Sequence, residues 1–137
     1  MQNVASIFLQ SSIKRLSYYK ELGDKTLAVL NTADFHFNPN EESNSIAVII
    51  QHVSGNMLSR WTDFLTTDGE KEWRNRDTEF EIKEASKELL IELWEKGWTC
   101  CLSALNNLTI NTSNEKIFSL FIGFCFRLFT CPVKKPR

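Results

Sequence analysis

Histidine is scarce in this chain: it has only two, His36 and His52. The four cysteines stand at positions 100, 101, 125 and 131, and no two of them form a C-x-x-C spacing. Zinc-finger spacing is therefore excluded, and no disulfide framework can be recognised. Because Cys100 and Cys101 fall within a predicted helix with no histidine nearby in sequence, a nucleophilic triad is poorly supported. We expect reduced thiols that mostly pack in a core.

Glycine is also sparse, with five residues scattered along the chain and no glycine-rich phosphate loop. Nucleotide binding is therefore disfavoured. The chain also lacks an excess of charge of either sign, since 16 basic residues balance 17 acidic ones. Such a balance provides no overall field to attract nucleic acid or an anionic membrane surface. We expect neither as a partner.

Long hydrophobic segments are missing as well. The first residues, MQNVASIFLQSSIKR, lack the order of basic region, apolar run and cleavage site that a secretory signal has. The most apolar stretch, IFSLFIGFCFRLFTC, is interrupted by Arg127 and is shorter than the roughly 20 apolar residues of a membrane span. We therefore expect a cytoplasmic protein that does not enter a membrane.

Helical periodicity is what the chain does have. With 137 residues, it suits one compact domain. Apolar residues recur every three to four positions in three segments, which predicts an all-α fold. The first segment predicts one long helix or two short ones broken near Gly23. The third predicts a helix over 86–108. The first stripe consists of Ala5, Leu9, Ile13, Leu16, Leu27 and Leu30. The third consists of Leu90, Trp94, Gly97, Cys101, Ala104, Leu105 and Leu108.

The second segment has the cleanest apolar stripe. It follows a polar connector, residues 31–45, which ends in helix-capping residues. At roughly 100° per residue, His52 falls about 120° from the centre of this stripe, on a polar line with Ser45, Asn56, Ser59 and Asp63. In a helical bundle such a line can face an interhelical cleft in which metal or ligand sites are built. The stripe consists of Ile46, Ile49, Ile50, Val53, Met57, Trp61 and Phe64.

His52 is the candidate metal ligand, although a single helical histidine is more often a surface or hydrogen-bonded residue. Asn56, one turn further on, could reach the same space. Asp63 is three turns away, at a rise of about 1.5 Å per residue, and cannot share a metal ion with His52. We expect His36, in the connector, to be a solvated or capping residue.

The segment from Thr66 to Glu81 loses the helical period, and its Asp68-Gly69 pair marks a turn. Aromatic residues at Trp73 and Phe80 favour an ordered loop. Its charged residues could form a rim that binds carboxylate or phosphate groups, or they could pair with one another and fix the loop over the bundle. These residues are Arg60, Asp63, Asp68, Glu70, Arg74, Arg76 and Asp77.

Three motifs together, QHVSGNMLSRW, TDFLTTDGEKEWRNRDTEFE and LWEKGW, resemble an uncharacterised bacterial subfamily of the DinB-like superfamily, of the YfiT type. The resemblance runs from about Phe8 to Leu105. It implies an up-down-down-up four-helix bundle that often forms homodimers. It also implies a divalent metal ion, nickel or zinc, held by three histidines. His52 matches the first ligand, and the other two belong to an H-x-x-x-H pair on the fourth helix.

The C-terminal part departs from this pattern, because no histidine follows His52. We therefore divide the chain into a three-helix DinB-like part, residues 1–109, and a divergent phenylalanine-rich segment, residues 110–137, whose fourth element is uncertain. The abrupt change in composition suggests a shifted reading frame or a degenerate helix. Sequencing the gene past codon 109 and finding no family-like helix in any frame would remove this hypothesis.

Two alternative functions follow from the resemblance and from the missing histidine pair. The first is a metal-dependent enzyme, of the hydrolase or thiol-dependent transferase type, whose site is incomplete in this chain unless a dimer partner or a related chain supplies ligands. The second is a metal-free helical protein that acts through protein contacts, or an inactive truncated paralogue. Binding of nickel or zinc that is lost on substitution of His52 would separate the two.

Overall fold

A computed structural model describes residues 4–67, 69, 71–81 and 84–108 of the chain. Within these ranges the protein is all-helical and has no strand, which confirms the predicted fold class. Four α-helices and one short 3-10 helix make up this part. They are α1 (Val4–Val29), α2 (Thr32–His36), α3 (Ile46–Trp61), the 3-10 helix (Asp77–Phe80) and α4 (Lys87–Asn106).

The first helix is continuous, so the alternative of two short helices broken near Gly23 is wrong. Gly23 serves close packing instead. A Cβ atom at this position would lie 2.9 Å from Cη2 of Trp94, and closer still to its neighbouring ring atom. The indole of Trp94 therefore rests directly on the backbone of α1, and its Nε1–H donates to Asp24 Oδ1 at 2.7 Å.

The second predicted helix, α3, begins where its capping residues predict and ends one turn early. Ser45 is the N-cap, and its Oγ accepts a hydrogen bond from the Val48 amide at 3.4 Å. The helix stops at Trp61 because Asp63 adopts a positive φ of 50°. The Asp63 carbonyl then accepts from the Thr66 and Thr67 amides, each at 3.0 Å.

The third predicted helix is confirmed as α4. Its N-cap is Ser86, whose Oγ accepts from the Leu89 amide at 3.2 Å. The side chain of Lys87, in the first turn, extends to the end of α1 and donates to the carbonyl oxygens of Leu30, at 2.5 Å, and Ala28, at 3.3 Å. A cation thus satisfies carbonyl groups that a helix C-terminus leaves without partners.

The connector between α1 and α3 contains the short helix α2, closed by a capping box between Asn31 and Asp34. Our expectation of a solvated or capping role for His36 is wrong. This residue is half-buried at the end of α2, and its Nε2 lies 2.8 Å from the carbonyl oxygen of Ala85. His36 therefore ties the connector to the start of α4.

Side-chain pairs fix the directions of the helices. Lys20 of α1 binds Glu95 of α4 at 2.8 Å, whereas the later end of α1 meets Lys87 at the beginning of α4. The two helices are therefore antiparallel. Ser54 of α3 donates to the Leu93 carbonyl at 2.7 Å, and Thr62, just past α3, lies 3.6 Å from the sulfur of Cys100. Helices α3 and α4 therefore run parallel.

Two apolar clusters form the core between these helices. One contains Leu16, Met57, Trp61, Trp98, Cys101, Leu105 and Leu108, and the other contains Leu27, Phe35, Ala47, Ile50 and Leu90. Helices α3 and α4 approach closely at Gly97, where a Cβ atom would lie 2.9 Å from Cα of Ser54. Small residues on both helices permit this approach.

The structure bears on two further expectations. No helix among the described residues is both long and apolar enough to cross a bilayer. The segment 110–137, and with it the uncertain fourth element, lies outside the described residues, so the division at residue 109 stays a prediction.

Candidate functional site

Helix α3 is buried on two opposite faces. One face carries Ile50, Met57 and Trp61 into the core. The other lies roughly 180° away at 100° per residue and, apart from Val48, consists of polar residues. These are Ser45, Val48, His52, Asn56 and Ser59, all buried. We call this second set the polar face.

The polar face corrects the predicted surroundings of His52. We expected a polar line at the border of the core, but His52 and Asn56 are each only 4% exposed and lie on the far side of the helix from α4. Asp63 belongs to neither set, since it is exposed beyond the helix end. Ile49, predicted to be in the apolar stripe, is 39% exposed. The residues of α3 that are buried are therefore not the same set as its apolar stripe.

The chain between α3 and α4 covers the polar face. Because these two helices are parallel, residues 62–86 must return along the bundle before α4 can begin. Ser59 donates to the Gly69 carbonyl at 2.7 Å, and further along the connection Glu79 lies against His52 and Gly55. The connection thus runs antiparallel to α3 and shields its polar residues from solvent.

Three buried side chains form the centre of the site: His52, Arg74 and Glu79. His52 Nδ1 lies 2.9 Å from Glu79 Oε2. The Arg74 guanidinium binds the same carboxylate in a bidentate manner, with Nε donating to Oε1 at 2.8 Å and Nη2 donating to Oε2 at 3.0 Å. The side chains of Arg74 and Glu79 are 4% and 10% exposed. The charged pair is therefore both desolvated and internally compensated.

The charge of Glu79 decides which nitrogen of His52 carries a proton. Burial by itself would raise the pKa of Glu79, but the hydrogen bonds from His52 and Arg74 and the positive charge of Arg74 outweigh it and lower the pKa. An ionised carboxylate only accepts hydrogen bonds, so Nδ1 of His52 must be the donor. In the neutral imidazole, Nε2 then retains its lone pair.

Gly55 and Phe80 complete the surroundings of this pair. A Cβ atom at Gly55 would lie 2.9 Å from Cδ of Glu79 and would overlap its Oε1, so glycine leaves the room that the carboxylate occupies. The Phe80 ring lies against the imidazole, with centroids 4.9 Å apart and planes inclined at 37°. The imidazole is therefore held by a hydrogen bond at one edge and by an aromatic contact on its face.

The sequence predicted part of this site. His52 was the candidate ligand, and Arg74 belonged to the predicted charged rim, for which pairing was one of the two alternatives. Its partner is Glu79, which was not among the candidates. The one available signal was a glutamate five residues after an arginine and next to Phe80, in a segment without a regular period. Asp68 and Glu70, two other members of that rim, lie outside the described residues.

Donor groups for a metal ion are few in the part of the chain that the structure describes. No three side chains among its His, Cys, Asp and Glu residues are grouped so that they could hold an ion. His52 with its carboxylate partner fits one ligand position of a divalent ion, since metal-bound histidines usually donate their other N–H to such a group. Further His, Cys, Asp or Glu ligands would have to come from residues outside the described ranges or from another chain.

The two described cysteines, Cys100 and Cys101, are free thiols and lie apart from the polar face. Cys101 is fully buried in the core, and burial raises the pKa of its thiol far above the usual range. Such a thiol is unreactive, because the nucleophile and the metal ligand is the thiolate. The expectation that this cysteine has a packing role agrees with its surroundings.

A known protein family resembles this chain over most of its length. A family described as "Protein of unknown function (DUF1572)" matches residues 3–119, which is well over half of the chain. No curated protein and no solved structure matches significantly.

Proposed function

The chain belongs to the DUF1572 family, and from that premise we propose that it is a DinB-like protein in which His52 is one ligand of a divalent metal ion, nickel or zinc. The family description assigns no activity. The proposal therefore depends on the geometry around His52 and on the motifs that resemble the DinB-like superfamily.

The directions of the helices support the DinB-like assignment. Counting α1, α3 and α4 as the first three long helices, the first is antiparallel to the third, and the second is parallel to the third. An up-down-down-up bundle requires this order. A simple bundle with short connections would instead alternate up and down.

The observation that carries the metal proposal is the hydrogen bond from His52 Nδ1 to Glu79 at 2.9 Å. Metal-bound histidines almost always donate their other ring N–H to a carboxylate, a carbonyl or water, and this fixes the ring and raises the basicity of the ligating nitrogen. Arg74 fixes the carboxylate in turn. A buried imidazole oriented in this way has Nε2 available as a ligand.

The chemistry that such an ion supplies when bound is Lewis acidity, which lowers the pKa of a bound water or thiol. His52 would hold the ion, and Glu79 and Arg74 would orient His52. Because no histidine follows His52 in the sequence, the remaining ligands are donors of another type or belong to a second copy of the chain.

The second candidate is a metal-free protein in which the same three residues only fasten the connection to α3. The bidentate contact between Arg74 and Glu79 favours it, because this contact fixes the connection without any ion. In that case His52 is a satisfied buried histidine and the protein acts through contacts with other proteins, or is an inactive copy.

A homodimer is proposed as the assembly. Helix α1 exposes apolar side chains on the surface turned away from the core: Val4, Ile7, Tyr18, Leu22 and Val29. On the wheel of an α-helix these residues fall within one narrow stripe. Sedimentation at micromolar concentration should give a dimer, and Leu22→Glu should give a monomer. A monomeric wild-type protein would remove the proposal.

Metal analysis of the purified full-length protein tests the metal proposal. We expect nickel or zinc at a constant ratio to protein in the wild type and its loss in His52→Ala. His36→Ala is the matched control, since it removes the other histidine, which binds the Ala85 carbonyl, and it should keep the metal. If the wild type binds no metal after exposure to both ions, the metal-free candidate stands.

A further inference from the structure

Asn56 lies on the polar face one turn after His52 and is only 4% exposed. Its side-chain oxygen, Oδ1, is buried and has no hydrogen-bond partner among the described residues. A buried amide oxygen without a partner forfeits the hydrogen bonds that it makes with water in the unfolded chain. Such atoms are rare in folded proteins, and an ion or a water molecule is a common reason for them.

The other polar side chains of the polar face each make a hydrogen bond. Ser45 Oγ accepts from the Val48 amide, Ser59 Oγ donates to the Gly69 carbonyl, and His52 Nδ1 binds Glu79. Within the polar face, only Asn56 has a buried side-chain atom without a partner. This contrast makes the unpaired oxygen a candidate ligand for a bound ion.

The spacing makes the side chains of Asn56 and His52 neighbours on α3. Residues four apart on a helix are neighbours on one surface, with Cβ atoms about 5–6 Å apart. Side-chain amide oxygens are ligands for divalent cations, and imidazole nitrogen is a ligand for zinc and nickel. The two groups can therefore serve one ion.

We propose that Asn56 Oδ1 is a second ligand of the ion that His52 binds, so that α3 supplies one nitrogen and one oxygen from adjacent turns. The inference rests on the proposed metal function. It adds a donor from this chain and makes the site a mixed nitrogen and oxygen site. It also gives the unpaired oxygen of Asn56 a partner.

The test uses the full-length protein freed of metal with a chelator and titrated with Ni²⁺ or Zn²⁺. Asn56→Leu replaces the amide with an apolar side chain of similar size and should weaken binding of the ion by about tenfold or more, which corresponds to the loss of one ligand. Asn56→Asp keeps an oxygen in the same place and should retain binding. Without metal, Asn56→Leu should unfold at a temperature about 2–6 °C higher than the wild type, because it removes a buried oxygen that has no partner.

Gln51→Leu is the matched control. Gln51 also has a buried side-chain atom without a partner, one residue before His52, but that atom is Nε2, which donates hydrogen bonds and cannot bind a cation. This variant should therefore leave binding of the ion unchanged.

The outcomes separate the inference from the proposed function. If the wild type binds no ion, both are wrong. If the wild type binds an ion and His52→Ala does not, but Asn56→Leu binds it with unchanged affinity, only the role of Asn56 is wrong. A metal-free Asn56→Leu protein that is less stable than the wild type would also overturn this role, because the oxygen would then have a partner within the protein.

Discussion

The carboxylate of Glu79 and the imidazole of His52 lie 27 positions apart in sequence, and a hydrogen bond of 2.9 Å joins them beneath the connection between α3 and α4. This contact determines which histidine nitrogen is available. It also attaches the connection to the helix, because Arg74 and Phe80 belong to the same segment of chain. This one hydrogen bond therefore both holds the connection in place and fixes which nitrogen of His52 carries a proton.

The first prediction concerns the charge of Glu79. Glu79→Gln should lower the free energy of unfolding by roughly 3–5 kcal/mol, because it leaves the buried Arg74 without a counter-charge. It should also weaken binding of nickel or zinc by about 10–100-fold, since His52 loses its orienting partner. Urea unfolding and metal titration measure the two effects.

The control for this prediction removes both charges. In Arg74→Met with Glu79→Gln no unpaired buried charge remains, so the double variant should recover part of the stability while metal binding stays weak. Equal stability of Glu79→Gln and the wild type would show that the pair is not held as the structure has it.

The second prediction concerns Gly55, where an added Cβ would overlap the Glu79 carboxylate. Gly55→Ala should lower the free energy of unfolding by roughly 1–3 kcal/mol, because the carboxylate must move away from His52. In a Glu79→Ala background that conflict is absent, and alanine should then stabilise the helix by up to about 1 kcal/mol. Denaturant unfolding of the four proteins measures this reversal of sign. The same sign in both backgrounds would contradict the account.

The third prediction concerns pH and Asp24. Burial by itself would raise the pKa of Asp24, but hydrogen bonds from Lys20 and Trp94 outweigh it and lower the pKa below the usual 3.8. Asp24 therefore stabilises the fold above about pH 3.8, and this contribution is lost as the pH falls through its lower folded-state pKa. Because the side chain is 40% exposed, the contribution should be below about 1 kcal/mol.

Urea unfolding of the wild type and of Asp24→Asn at several pH values checks this assignment. The wild type should be the more stable protein at pH 6, and the difference should shrink toward pH 3. A difference that grows on acidification would mean that the sign is wrong.

The fourth prediction concerns Lys87, whose ammonium group satisfies the carbonyl oxygens of Leu30 and Ala28 and lies 5.9 Å from the centre of the Phe35 ring. Lys87→Met should lower the free energy of unfolding by roughly 1–2 kcal/mol. The neighbouring exposed residue provides the comparison: Glu88→Gln should change it by less than about 0.5 kcal/mol. Thermal unfolding of the two variants tests this, and equal effects would contradict the role of Lys87.

Helical periodicity predicted the three long helices well, because caps and stripes are local features. It did not predict α2 or the 3-10 helix, which lie in segments predicted to be a connector and a loop. Ser45 and Ser86 mark the starts of α3 and α4, as their side-chain chemistry requires. The burial of α3 was predicted less well. Ser54 lies in the α3 to α4 contact because Gly97 allows the backbones to approach, and its hydroxyl has a partner in the Leu93 carbonyl. An apolar stripe cannot reveal a contact made by small polar residues.

The site was predicted only where it lies on a helix. His52 and Asn56 could be placed together from their spacing, but Glu79 could not be placed with them, since the path of the connection follows from the parallel arrangement of α3 and α4. That arrangement depends on contacts between distant residues, such as Thr62 with Cys100. The spacing of residues within the connection carries no information about how α3 and α4 are arranged.

The most direct test of the account is the protonation of His52 measured by nitrogen-15 NMR at pH 8, before and after addition of Zn²⁺ to metal-free protein. We predict a proton on Nδ1, bonded to Glu79, and an unprotonated Nε2 whose resonance shifts on addition of one equivalent of zinc. His36 should not respond. A proton on Nε2, or an Nε2 resonance that zinc leaves unchanged, would contradict the central claim that Glu79 prepares His52 to bind a metal ion.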